Sequence, residues 1–201
     1  MGATSTSVVL SDSDWTRLEA AAARYDRAVS PYYDEVLDEI ADRAARTGSL
    51  GKADIGALVL WKRVRSDSLA MKGLLTTPDC DVRAATAVMI DAATDPDATL
   101  GGAAAAARSA LAKLSGFRRG DALASALIVS ANPARFAVYD RRAHQGLVHL
   151  GFALTNTSGR YSRYMTIINQ IVEQSTHRPG RWTPRRVDLA LFTLGAPPPR
   201  L

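Results

Sequence analysis

The chain has 201 residues, 47% of them hydrophobic and 22% charged, a formal net charge of +5 and a single cysteine, Cys80. This length suits one domain with a real core or two small lobes sharing a cleft, and the composition excludes a disordered tail. No apolar run is long enough to cross a bilayer, and one cysteine excludes an internal disulfide, a four-cysteine zinc site and an iron–sulfur cluster. MGATSTSVVL lacks a basic region followed by an apolar core, so no secretory signal is expected, and the cytoplasm is the expected compartment.

In chain order, residues 1 to 11 read as frayed. Ser13 or Asp14 is placed to cap a helix to about Val29, with Trp15, Leu18, Ala22 and Tyr25 at helical spacing. Ser30-Pro31 opens a second helix to about Arg46, apolar at Tyr32, Val36, Leu37 and Ile40. Its other side is acidic at Asp34, Glu35, Asp38, Glu39 and Asp42, and is expected to be solvated. Thr47-Gly48 ends it. A third helix runs from Lys52 to about Arg65, apolar through Trp61 and then basic at Lys62, Arg63 and Arg65. Thr77-Pro78-Asp79 is a turn, and Asp81 caps a helix to about Asp91. In DAATDPDATLGG, Pro96 and Gly101-Gly102 break the helical pattern. An alanine-rich helix spans Ala103 to Leu114.

The stretch from Leu114 to Leu147 carries the most chemistry. Gly116 and Gly120 bracket a tight hairpin, because glycine tolerates positive φ and close backbone approach. Asp121 is placed to cap a helix to Ala131, whose Ala122, Ala124, Ser125 and Ala126 allow tight packing. Asn132-Pro133 ends that helix. Phe136, Val138 and Tyr139 lead to Asp140, which opens a helix through Leu150. After a polar loop over Thr155 to Gly159, Ser158 or Ser162 starts a helix to about Gln174. Thr183-Pro184 caps the last one, and GAPPPRL is irregular. Period-two alternation is absent, so an all-α protein is expected, and no repeat of 20 to 50 residues is visible.

Charge is divided unevenly. From Arg108 onward there are 14 Lys/Arg against 4 Asp/Glu, a net of +10, whereas residues 1 to 107 hold 11 against 16, a net of −5. Clustered arginines that include the hairpin are the footprint of phosphate binding, although a solvated basic surface gives the same count.

The hairpin Leu114-Ser115-Gly116, the small-residue helix Ala122 to Ala126 and the Asp140 segment resemble the helix-hairpin-helix DNA glycosylases. Arg135 to Ala143 is similar to their small 8-oxoguanine-glycosylase-like group. The resemblance is carried by residues 108 to 150, is weaker over Asp54 to Arg65 and Trp182 to Gly195, and is absent from the first fifty.

It implies a single domain over 1–201, a two-lobed helical bundle with a cleft between the lobes. Residues 12–100 would form the N-terminal part, 103–150 the hairpin and catalytic segment, and 158–195 helices that pack back. It further implies that Gly116, Phe117, Arg118, Arg119 and Gly120 hold the DNA backbone, and that Asp140 is the catalytic carboxylate. The implied partner is double-stranded DNA with a modified base, and a monomer without cofactor or metal is expected. Bifunctional members place a nucleophilic lysine at the start of the helix after the hairpin. Positions 118 to 124 here contain none, so a monofunctional glycosylase is expected. The usual second hairpin glycine is replaced by Arg118.

By residue chemistry alone Asp140 is also a good helix cap. Trp61 is either a stacking surface for an extruded base or a core tryptophan. Lys62 is a phosphate or base contact or a solvated cation, and Tyr139 lines the base pocket or is core. In the resembled group a Trp-Lys pair borders that pocket. His144 reads as a hydrogen-bonded structural histidine, and His149 and His177 show no metal-ligand spacing. A DNA-binding module without chemistry and a regulatory protein with a basic face are the rival readings. The excised base stays open between modified cytosines of phage DNA, as an anti-phage defence, and oxidised or alkylated purines, as repair.

Overall fold

A computed structural model describes residues 8–65 and 67–197. All regular structure among these residues is helical, ten α-helices and one 3₁₀ turn. No helix among them is long and apolar enough to cross a membrane. Of the N-terminus expected to be frayed and the tail expected to be irregular, 1–7 and 198–201 lie outside the described residues. Residues 8–10 are tied down: Leu10 is buried and donates its N–H to Gln174 Oε1, while Gln174 Nε2 donates to the Val8 carbonyl.

Helix α1 (Asp12–Ala28) starts earlier than Ser13 or Asp14 because Ser11 and Asp14 exchange hydrogen bonds between side chain and backbone, a capping box. Helix α2 (Glu35–Thr47) starts later than Ser30-Pro31. The Asp34 carboxylate that stands before it makes no cap bond and turns inward. Glu35, Asp38, Glu39 and Asp42 are exposed as expected; Asp34 is not. Helix α3 (Lys52–Lys62) stops short of Arg65 because Arg63 takes φ 54.

Three features depart further from the sequence reading. Helix α4 (Leu69–Thr76) was not anticipated. It is short, and its Gly73 sits against the Ser115 carbonyl, so packing rather than propensity holds it. Helix α5 (Asp79–Thr94) begins before Asp81, with the Asp79 carboxylate accepting the Lys52 N–H at 2.7 Å. Helix α6 (Leu100–Leu111) contains Gly101 and Gly102, which the sequence reading treats as a break. The Thr99 hydroxyl accepts the Gly102 N–H and fixes the first turn.

Helix α7 (Ala122–Ala131) is the centre of the molecule. Leu123 to Ser130 are all buried, and α2, α3, α5 and α6 pack around it. A helix apolar on every side belongs in a core. Each of its large apolar side chains contributes about 1.5–3 kcal/mol on burial. Helix α8 (Arg141–His149) lies on α10 (Pro184–Leu194), where a Cβ on Gly146 would meet the Leu191 carbonyl oxygen at 2.3 Å. Helix α9 (Arg160–Gln174) runs on into a 3₁₀ turn at Ser175–His177 and closes over α6. Trp182 meets Trp15 of α1 edge to face at 5.4 Å.

Candidate active site

Residues 112–121 connect α6 to α7. Gly116 (φ +83) could not bear a side chain: its Cβ would stand 2.1 Å from the Leu69 carbonyl oxygen of α4. Gly120 (φ +82) turns in open space. Between them Phe117 is buried, and its N–H already donates to the Leu114 carbonyl at 3.1 Å. Phe117 therefore anchors the turn and has neither side chain nor N–H to offer a ligand. Arg118 and Arg119 are exposed and have no carboxylate partner among the described residues. With Lys72 of α4 and Lys113 they border an open depression of about 740 Å³ that no acidic residue lines.

Asp121 was expected to cap α7. It stands at the N-cap, but its side chain makes no cap bond. Arg108 Nε reaches one carboxylate oxygen and Arg160 Nε the other, each at 2.8 Å. Those two arginines clamp the buried acid, and the first turn of α7 has no side-chain cap.

The extended link before Asp140 is held by side chains from three helices. Ser125 Oγ accepts the Tyr139 N–H at 2.9 Å, and Asp188 Oδ2 accepts the Val138 N–H at 3.0 Å. The hydroxyls of Tyr161 and Tyr164 donate to the Ala137 and Val138 carbonyls, at 3.0 and 3.2 Å. Buried backbone groups need such partners, and here side chains supply them in place of a neighbouring strand.

Asp140 follows in extended conformation and caps α8, its Oδ1 accepting the Arg142 N–H at 2.8 Å. Its Oδ2 lies 3.0 Å from Lys62 Nζ, the last residue of α3. Burial pushes the carboxyl's pKa up, but the Lys62 ammonium, the Arg142 N–H and the Arg142 charge together outweigh it. Asp140 therefore titrates below the ordinary 3.8.

Asp140 and Lys62 share a cleft of about 310 Å³ with Tyr33, Trp61, Arg63 and Phe192. At its base Arg185 reaches Asp188 and Asp34, each at 3.0 Å, and Asp34 also accepts the Trp61 indole N–H at 3.1 Å. Full burial raises the Asp188 pKa, only partly offset by Arg185 and the Val138 N–H. Asp188 and Asp34 in turn hold Arg185 protonated against its own burial. Arg63 closes α3 in the left-handed region, a conformation that costs a residue with a Cβ about 1–2 kcal/mol.

Three sequence-selected residues thus meet in one cleft: Trp61, Lys62 and Asp140. Trp61 is buried with Arg185 over its ring at 5.3 Å, so that face is not open to a base. Tyr139 is not in the cleft wall. It packs on Tyr164, lies under Arg160 at 4.5 Å, and bonds His144 Nδ1 through its hydroxyl at 2.9 Å. Burial raises the pKa of Tyr139, and burial followed by the Arg160 charge lowers that of His144. Ser125, Tyr161, Tyr164 and Asp188 were read from sequence only as packing residues or not at all. The available signal was the need of a buried tyrosine hydroxyl for a partner. Among the described residues no three His, Cys, Asp or Glu side chains converge as metal ligands would. No family model, curated protein or solved structure matches the chain.

Proposed function

We propose that the chain is a monofunctional DNA glycosylase, which takes a modified base out of double-stranded DNA and hydrolyses its N-glycosidic bond, leaving an abasic site. The observation that carries this reading is an Asp140 carboxylate kept ionised and fixed by the Arg142 N–H and Lys62 in the wall of a cleft. The excess of arginine after Arg108 supports a polyanionic partner. In this reading α6, residues 112–121 and α7 act as a helix-hairpin-helix. The cleft lies between two lobes, and the protein works in the cytoplasm as a monomer without a cofactor.

A stacked base is out of reach, so the nucleotide must be rotated into the cleft, at roughly a few kcal/mol of unstacking. Arg118, Arg119, Lys72 and Lys113 hold strand phosphates without reading sequence. As the C1′–N bond breaks, positive charge grows on the sugar and negative charge on the base. Asp140 stabilises the first and takes a proton from the water whose oxygen bonds to C1′. Lys62 moves from its resting ion pair to the departing base, which leaves with the electron pair. General-base action of this kind is worth about 10²–10⁴ in rate.

An ammonium in an ion pair has no lone pair for attack on the sugar, and the start of α7 has no lysine. Borohydride is therefore expected to trap no covalent adduct with DNA. An adduct that disappears in Lys62→Ala would instead make Lys62 a nucleophile and the protein a lyase. At about 310 Å³ the cleft is at the small end of ligand sites, about 300–1,000 Å³. That size supports a planar oxidised or alkylated base over a sugar-bearing cytosine of phage DNA. Mass spectrometry of bases released from oxidised, alkylated and phage-derived DNAs tests the choice.

A further inference from the structure

Arg63 is the only residue other than glycine at positive φ among the described residues. It closes α3 with the Arg63 N–H on the Leu60 carbonyl and the Val64 N–H on the Val59 carbonyl. This is a helix ending that glycine serves without a side-chain clash. The chain uses glycine for that purpose at the end of α2, where Gly48 has φ 65. Local stability alone gives no reason for an arginine here.

The side chain supplies one. Arg63 is exposed and lines the Asp140 cleft, its guanidinium carbon 5.8 Å from the centre of the Tyr33 ring. Two other cations there are paired, Arg185 with Asp34 and Asp188 and Lys62 with Asp140, whereas Arg63, like Arg142 over the Phe192 ring at 5.0 Å, has no carboxylate partner among the described residues. A guanidinium resting on an aromatic ring keeps the donors along its edge free, and their fork matches two oxygens of a phosphate. The position follows Lys62 directly, so any strand whose sugar reaches Asp140 passes close to it.

We propose that Arg63 binds a backbone phosphate of nucleic acid at the mouth of the Asp140 cleft, and that the left-handed ending of α3 is tolerated because it delivers the guanidinium there. The inference rests on the glycosylase reading and assigns its cleft a phosphate contact apart from the 112–121 turn.

The test compares wild type with Arg63→Gly and Arg63→Asn, two neutral residues that accept positive φ. Binding to a duplex carrying a tetrahydrofuran abasic-site analogue is measured over a range of salt concentrations, with thermal melting of the free proteins alongside. Both variants are expected to melt no lower than wild type and to bind about tenfold more weakly. Their slope of log affinity against log salt should be shallower by about 0.9, the signature of one lost phosphate contact. Wild-type affinity and slope in both variants would overturn the assignment while leaving the glycosylase reading in place. Variants that melt well below wild type would also overturn it, since Arg63 would then be a structural residue. A wild type with no salt-dependent affinity would overturn the glycosylase reading and this inference together.

Discussion

Lys62 Nζ and Asp140 Oδ2 lie 3.0 Å apart although 78 positions separate them in the chain. The pair joins the last turn of α3 to the first residue before α8, and it helps hold the carboxyl's pKa below its ordinary value. In Lys62→Met, burial, which raises the Asp140 pKa, is opposed only by the Arg142 N–H and the Arg142 charge. The acidic limb of the pH–rate profile for base release should move to higher pH. Stability follows the same sign. A folded-state pKa below the unfolded value stabilises the protein fully above about pH 3.9, and that contribution is lost as the pH falls through the folded value. Lys62→Met should therefore lose stability at neutral pH and approach wild type in acid, read by denaturant midpoints at neutral and acid pH.

The link before Asp140 should be sensitive to single hydroxyls. Tyr164→Phe keeps the ring and leaves the Val138 carbonyl without its donor, at about 1–3 kcal/mol. Ser125→Ala strands the Tyr139 N–H in the same way. Both variants should unfold at lower denaturant and release base more slowly, while DNA affinity stays near wild type.

Arg185→Met should be the most damaging change at the base of the cleft. It leaves Asp188 fully buried with the Val138 N–H but no cation, and Asp34 without its second partner. Breaking one side of such a network costs about 3–5 kcal/mol. Each kcal/mol lowers the melting temperature of a chain this size by about 2–4 °C. Calorimetry checks the loss.

The two glycines of the 112–121 turn should respond unequally. Gly120→Ala meets only its positive φ, about 1 kcal/mol. Gly116→Ala adds a collision with the Leu69 carbonyl and must push the turn off α4. Its loss of stability should exceed that of Gly120→Ala at least twofold, and its DNA affinity should fall as well, both measurable by denaturation and salt-dependent binding.

Helices with strong local punctuation were legible in the sequence: α7 ends at Asn132 before Pro133, and α10 opens at Thr183-Pro184. Boundaries failed where a distant group overrides the local signal. Asp34 is drawn from the start of α2 to Arg185, 151 positions away, and Asp121 leaves the start of α7 for Arg108 and Arg160. Helix α4 escaped notice because its reason to exist is the Ser115 carbonyl packed on Gly73. At the site, Trp61, Lys62 and Asp140 were chosen from sequence and share a cleft, while Tyr139 turns to His144. The clamp on residues 137–139 was not legible, because its acceptors and donors are backbone atoms up to 50 positions from the side chains that meet them.

The most direct measurement is base release from modified duplex DNA by wild type and Asp140→Asn, alongside the affinity of each for that DNA. Asparagine can still accept the Arg142 N–H, so the fold and the grip on DNA should persist. Wild type should release a free base, and Asp140→Asn should do so about 10²–10⁴ more slowly at similar affinity. Equal binding with no base released by either protein would contradict the enzyme and leave a DNA-binding module.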